Sequence, residues 1–241
     1  MKGIILAAGR GSRMGDLTND LPKCRTLLHG KELIQWQLDA LKSTSIEEIS
    51  IVRGYLSETF DFELTYFENE RWAETNMVGS LLSARIWLES TTCITSYSDI
   101  VYSSDAVNRL INASGDIVIT FDPRWEELWS KRFEEPLTDA ETFRLSGNRV
   151  IEIGQKASSM NEIEGQYMGL VKYTPDGWNQ VENYLSELDQ IEVDRMDMTR
   201  LLQNLISRGV VINSVPIKDK WFEVDSESDL NCYINETPIK Q

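Results

Sequence analysis

Histidine occurs once in this 241-residue chain, at His29, and cysteine three times, at Cys24, Cys93 and Cys232. A single imidazole excludes a multi-histidine metal site. Three widely spaced thiols without a Cys-x-x-Cys pair offer neither a disulfide framework nor a zinc site, and they suit a reducing interior. Basic residues are scarce as well. Twenty-four Lys and Arg stand against 39 Asp and Glu, a formal charge of −15, which argues against a nucleic-acid surface, where phosphate contacts require clustered cations. No apolar run approaches the roughly 20 residues that cross a bilayer, and no charged segment followed by a long apolar one opens the chain. The expectation is a soluble cytoplasmic protein with no membrane insertion, and its length suits one large domain, residues 1–241, able to bury a core without staples.

Against that scarcity of cations, Ile4-Ile5-Leu6-Ala7-Ala8-Gly9-Arg10-Gly11-Ser12-Arg13-Met14, closed by Leu21-Pro22-Lys23, sets a glycine loop and two cations directly after an N-terminal strand. Glycines at 9 and 11 let the backbone approach a ligand and turn its N–H groups toward anionic oxygens. Arg13 and Lys23 supply the charge that neutral amides lack. The spacing is neither a P-loop, since no Lys-Ser/Thr follows the second glycine, nor Gly-x-Gly-x-x-Gly, since Met14 holds the third glycine's place. Read physically, a bare Gly-x-Gly is also compatible with a turn that binds nothing.

Leu-Ala-Ala-Gly-x-Gly-x-Arg-Met with Thr18 and Pro22-Lys23 resembles the N-terminal motif of nucleotidyltransferases that activate sugar phosphates, phosphocholine and phosphonates with a nucleoside triphosphate. Three further segments follow in that family's order: 95–102 around Ser98-Asp99, 164–170 (Glu-Gly-Gln-Tyr-Met-Gly-Leu), and 222–230 around Glu223-Val224-Asp225. Within the family the resemblance is to small cytidylyltransferases of bacterial cell-surface decoration, and the segments 128–133 and 136–141 are similar to the phosphoglutamine enzymes. The resemblance implies a three-layer, Rossmann-like α/β fold with a central, mostly parallel mixed sheet. It also implies a β-rich acceptor-side insertion at about 122–172, and it leaves a homodimer open.

Local patterning agrees with such a fold. Short β-branched runs predict strands at Lys2–Leu6, Glu48–Arg53, Glu63–Phe67, Thr92–Tyr97 and Ile117–Phe121, and apolar residues at helical spacing predict helices at Leu33–Lys42 and Met77–Leu88. A hairpin is expected about Ser146–Arg149, a strand at Gly165–Tyr173, helices at Pro175–Leu188 and Met196–Ser207, and a strand at Val210–Val215. A last helix is capped by Ser226 with Asp229 three residues on, the pattern of a capping box.

By the resemblance, Asp99 and Asp225 are ligands for Mg²⁺, a hard cation that takes oxygen donors. Taken alone, each aspartate is also a plausible helix cap. The departure is Ser98-Asp99 where many relatives carry Gly-Asp or Asp-Ala-Asp, which leaves the carboxylate intact but puts a third ligand in doubt. The nucleotide, expected to be CTP, falls to Leu6, Ala7, Ala8, Gly9, Gly11, Ser12, Arg13, Lys23, Asn76 and Ser98, with Arg13 and Lys23 as the catalytic charges. The acceptor, a small phosphorylated or phosphonate compound, falls to Lys156, Glu164, Gln166 and Tyr167, with strand alternation placing Glu164 and Gln166 on one face. Lys156 has a rival reading as a solvated turn lysine. Trp72, Trp125, Trp129 and Trp221 are either an aromatic cage for an ammonium or core. His29 is expected on a turn beside Gly30. The competing functions are a sugar-1-phosphate nucleotidyltransferase and a catalytically silent nucleotide-binding homologue.

Overall fold

In a computed structural model describing residues 1–239, nine strands form one sheet. Their order is Thr65–Glu68, Glu48–Arg53, Lys2–Ala7, Cys93–Tyr97, Gln166–Tyr173, Ile117–Asp122, Ile212–Pro216, Arg149–Lys156 and Glu141–Ser146. The first four run parallel, with Ile5 opposite Ile51 on one side and Ser96 on the other. Gln166–Tyr173 lies antiparallel between Cys93–Tyr97 and Ile117–Asp122. The predicted hairpin turns at Gly147 (φ +64°) and extends the same sheet at its far edge. Residues 122–172 therefore supply an edge strand, its inner neighbour and most of a central strand to one sheet.

Alternation along the N-terminal strand explains the three layers, because every residue from Gly3 to Ala7 is buried and successive side chains enter opposite cores. Ile5 and Ala7 pack with the helices Leu33–Lys42 and Ser104–Asn112. Ile4, Leu6 and Ala8 pack with the layer that includes Met77–Ser83, Pro175–Leu185 and Met198–Ser207. Each fully buried Ile or Leu there contributes about 1.5–3 kcal/mol of transfer free energy.

The strands Glu48–Arg53 and Cys93–Tyr97 and the helix Leu33–Lys42 lie within a residue of their predicted bounds. The stretch predicted as one helix at 77–88 is two, Met77–Ser83 and Arg85–Ser90, broken at Ala84 (φ −99°, ψ 13°). Helices at Ser104–Asn112, Trp125–Arg132 and Gln190–Asp194 were not anticipated. The capping box at Ser226 and Asp229 is present. His29 (φ +53°) and Gly30 (φ +77°) form the turn joining Leu27–Leu28 to Lys31–Glu32.

Parallel strands end on the same side, so the loop after Ala7 and the turn after Tyr97 meet at one carboxyl edge of the sheet, where ligands sit in open α/β folds.

Candidate active site

At that edge lies a cleft of about 270 Å³. Its walls include Leu6, Ala8, Gly9, Gly11, Ser12, Arg13 and Lys23 from the N-terminal segment, Asn76 from the helix start, Ser98 and Asp99 from the turn, and Asp225. Ala7, expected among them, is absent for a geometric reason: alternation turns its side chain into the opposite core. Trp72, Thr75, Met77, Ser80 and Tyr97 complete the lining.

Gly11 is needed for more than backbone approach. It sits at φ +69°, and a Cβ there would stand 2.6 Å from both Cβ and Cδ of Lys23, so any side chain would displace the lysine stem. Gly9 differs, with nothing within 4 Å of its absent Cβ, which leaves the cleft wall open to an incoming group. Thr18, fully buried, donates to the carbonyls of Gly11 and Gly15, each at 3.3 Å, and Tyr55 donates to the carbonyl of Thr18 at 2.9 Å, so the loop is held from behind.

Lys23 Nζ donates to Asp99 Oδ2 at 2.8 Å and to Asp225 Oδ1 at 2.6 Å, and Arg13 pairs with the other oxygen of Asp225. Burial by itself lowers the Lys23 pKa, but the two carboxylates outweigh it and hold the ammonium protonated above the usual lysine range. The Arg13 side chain is 74% exposed, against 9% for Lys23, so Lys23 is the fixed charge and Arg13 the one free to move onto a ligand.

Two devices bring the carboxylates together from positions 126 residues apart. A short antiparallel ladder pairs Ile100–Val101 with Phe222–Glu223, and Val224 N–H donates to the Asp99 carbonyl at 2.8 Å. Behind Asp225, Asp229 Oδ2 accepts from the N–H groups of Asp225 (2.9 Å) and Ser226 (2.8 Å), while its Oδ1 accepts from Arg132 Nε at 2.8 Å. Arg132 also pairs with Glu223, and its side chain is only 3% exposed. Burial pushes the Glu223 carboxyl up to about 7, against the pull of Arg132. Sequence reading missed Arg132. Its signal was there, a lone arginine closing an apolar Trp125/Leu128/Trp129 stripe at i, i+3, i+4 spacing.

The acceptor-side residues are more scattered than expected, since none of Lys156, Glu164, Gln166 and Tyr167 lines this cleft. Lys156 is exposed at a strand end. Glu164 is exposed and precedes the strand, whereas Gln166 is buried within it. The Gln166 amide binds both the N–H (3.3 Å) and the carbonyl (2.5 Å) of Glu141, and Glu164 accepts from Leu145 N–H at 3.2 Å. Both side chains therefore brace the hairpin. Tyr167 stands edge-on to Tyr97, ring centroids 5.8 Å apart, and reaches the cleft only through that ring. Trp125, Trp129 and Trp221 form one buried cluster of edge-on and tilted rings, with indole N–H groups of Trp129 and Trp221 held by Asp139 (3.0 Å) and Asp122 (2.9 Å). That is core. Trp72 is the tryptophan that lines the cleft.

Burial first, then the carboxylates of Asp197 and Asp139, push the Glu141 carboxyl up from 4.5 to about 7. The folded chain therefore binds this proton more tightly than the unfolded one, and the stability it confers is lost as pH rises from 4.5 through 7. Glu141→Gln is expected to match the parent near pH 4 and to be more stable at pH 8 by on the order of 2 kcal/mol, from the 1.36 kcal/mol carried by each pKa unit less solvent screening. Urea unfolding at both pH values checks this; an equal difference at pH 4 and pH 8 would rule it out.

The fold and the cleft, with its glycine loop, buried lysine and paired carboxylates, define a nucleotidyltransferase. The chain belongs to the family described as the MobA-like NTP transferase domain, whose model matches residues 3–153. It is 39% identical to a CTP:phosphoglutamine cytidylyltransferase of Campylobacter jejuni subsp. jejuni, over 97% of this chain and 99% of that protein. It is also 33% identical to a 2-aminoethylphosphonate cytidylyltransferase of Lancefieldella rimae, over 43% of this chain and 45% of that one. Among solved structures, the inositol-1-phosphate CTP transferase of T. maritima superposes with a TM-score of 0.76 at 19% identity, covering 100% of this chain and 98% of the other, a likeness of fold.

Proposed function

We propose that the chain is a cytidylyltransferase that transfers CMP from CTP to a small phosphorylated or phosphonate acceptor bearing nitrogen, with phosphoglutamine ahead of phosphocholine, in the service of cell-surface polysaccharide decoration. The observation that carries it is the Lys23–Asp99–Asp225 cluster in the same cleft as the open position at Gly9, read with the full-length similarity to the phosphoglutamine enzyme. None of the helices among the described residues is long and apolar enough to cross a membrane.

An acceptor phosphate oxygen is already anionic at neutral pH, so it attacks the α-phosphorus of CTP in line without a general base. The new P–O bond forms as the bond to the β-phosphate bridge breaks, and pyrophosphate leaves with that electron pair. Lys23, held in place by two carboxylates, and Arg13, free to swing, offset charge gathering on the phosphates, while N–H groups of the Gly9–Ser12 loop orient them. Removing one such charge from a desolvated site costs about 3 kcal/mol, on the order of a hundredfold in rate.

The carboxylates fit a divalent cation. Asp99 Oδ1 is buried without a hydrogen-bond partner, and both donors are hard oxygens. Among the described residues no group of three or more His, Cys, Asp or Glu could hold a metal, so Asp99 and Asp225 would hold Mg²⁺ as a pair, a number this ion accepts because it retains waters and takes phosphate oxygens. Bound there, the ion supplies positive charge to the triphosphate.

A matrix of CTP, UTP, dTTP and ATP against phosphoglutamine, phosphocholine, 2-aminoethylphosphonate and glucose-1-phosphate, read by pyrophosphate release, tests the reading. CTP with a nitrogenous acceptor is expected to be fastest. Efficient use of glucose-1-phosphate alone would replace it with a sugar-1-phosphate nucleotidyltransferase.

A further inference from the structure

The walls of the cleft differ in character. Arg13, Lys23, Asp99 and Asp225 carry charge, whereas Leu6, Ala8, Trp72, Thr75, Asn76, Met77 and Ser80 carry none. A triphosphate belongs against the first set and the base against the second. Behind the second lies Asn69, 6% exposed, whose amide orientation is set by its own bonds. Asn69 Oδ1 accepts from Arg71 N–H at 3.1 Å, which directs Nδ2 to donate to Thr75 Oγ1 at 2.9 Å and to Ser80 Oγ at 3.1 Å.

The two hydroxyls are left in different states. Thr75 Oγ1 donates its proton to the Arg71 carbonyl at 3.0 Å. With one lone pair taken by Asn69, it retains one lone pair and no proton, and toward a ligand it is an acceptor only. Ser80 Oγ accepts from Asn69 and makes no other hydrogen bond within the described residues, so its proton serves as donor and its second lone pair as acceptor. Thr75 is held in register by Gly79, where a Cβ would lie 2.6 Å from Thr75 Cβ.

We infer that Thr75, polarised by Asn69 and the Arg71 carbonyl, determines which pyrimidine the cleft accepts, by taking a hydrogen bond from the 4-amino group of cytosine and presenting only a lone pair to the 4-oxo group of uracil. The inference rests on the cytidylyltransferase reading and gives it a cause. A site built around one polar group rejects the analogue that cannot pair with it, because the mismatch leaves two acceptors facing each other in a partly dry pocket.

The test measures kcat/KM for CTP, UTP and the triphosphate of pyrimidin-2-one ribonucleoside, which lacks the 4-amino group, with the best nitrogenous acceptor. The parent is expected to favour CTP over both others by about tenfold or more. Thr75→Val keeps the shape and is expected to lower the CTP/UTP ratio at least tenfold, mainly by loss on CTP; Thr75→Ser retains the ratio, and Ser80→Ala moves it less than Thr75→Val does. An unchanged ratio in folded Thr75→Val overturns the inference. So does a parent that uses the pyrimidin-2-one nucleotide as well as CTP, a result that does not depend on any variant folding. Failure of every nucleotide with every acceptor, or equal use of CTP and UTP by the parent, sinks the underlying reading instead, while a parent that favours CTP and keeps the same ratio in folded Thr75→Val sinks this inference alone.

Discussion

Asparagine in place of Asp99 or of Asp225 is expected to cut turnover by about a thousandfold or more, since each exchange keeps side-chain shape and removes a charge on which the site's cations depend. In the structure Lys23 bridges the two carboxylates and Arg13 pairs with Asp225. Either exchange leaves a buried lysine with one anionic partner, and it removes one of the two oxygen donors proposed for Mg²⁺. Two readouts separate these losses. Binding of Mn²⁺ in the presence of CTP, followed by its electron paramagnetic resonance signal, is expected in the parent and lost in either variant. Thermal stability without nucleotide is expected to fall in both variants, because Lys23, 9% exposed, keeps only one anionic partner, so turnover is compared at a temperature where each variant is folded. A variant that turns over within a few-fold of the parent would take that aspartate out of the metal site. A variant that loses turnover yet binds Mn²⁺ normally would leave it a partner of Lys23 only.

How much of this was legible beforehand depended on how local each cause is. The glycine loop, Lys23, Asp99 and Asp225 could be marked because each stands in a short motif, and the strands before them because β-branched runs report burial on both faces of a parallel sheet. Ala7 illustrates the limit: a motif includes every residue of a strand, but alternation sends only every second side chain to the cleft. Gln166 and Glu164 look like free polar groups in the sequence and are engaged by Glu141 and Leu145, residues that arrive only when the hairpin folds back. The break at Ala84 and the three tryptophans gathered into one cluster are likewise tertiary outcomes that no window of sequence contains. The bonds from Asn69 to Thr75 and Ser80 were illegible for the opposite reason. Its members are near neighbours, but their meaning lies in which atom carries the proton.

The second large effect concerns Arg132, which touches no part of the cleft. Arg132→Met is expected to destabilise the fold by about 3 kcal/mol, because it strands Asp229, 4% exposed, as a buried carboxylate without its cation and leaves the half-buried Glu223 unpaired. Burial alone would lower the arginine's pKa, yet Glu223 and Asp229 raise it, so the guanidinium stays charged in a nearly dry setting. Asp229 in turn is held below the ordinary carboxylate range, burial opposing and Arg132 with Ser226 prevailing. Its second oxygen fixes the backbone N–H of Asp225, so the loss is expected to reach catalysis as well as stability. At a temperature where Arg132→Met remains folded by circular dichroism, kcat is expected to fall about tenfold or more with KM for CTP little changed, the mark of a misplaced Asp225 rather than a damaged nucleotide pocket. Arg132→Lys keeps a charge but not the planar fork that serves two carboxylates, so it is expected to recover part of the stability and little of the rate. Urea unfolding and steady-state kinetics on the two variants decide the matter. A stable, slow Arg132→Met would deny the buried ion pair its structural weight, and an unstable variant with normal kcat would show that Asp225 is placed by the Ile100–Val101 and Phe222–Glu223 ladder without help from the arginine.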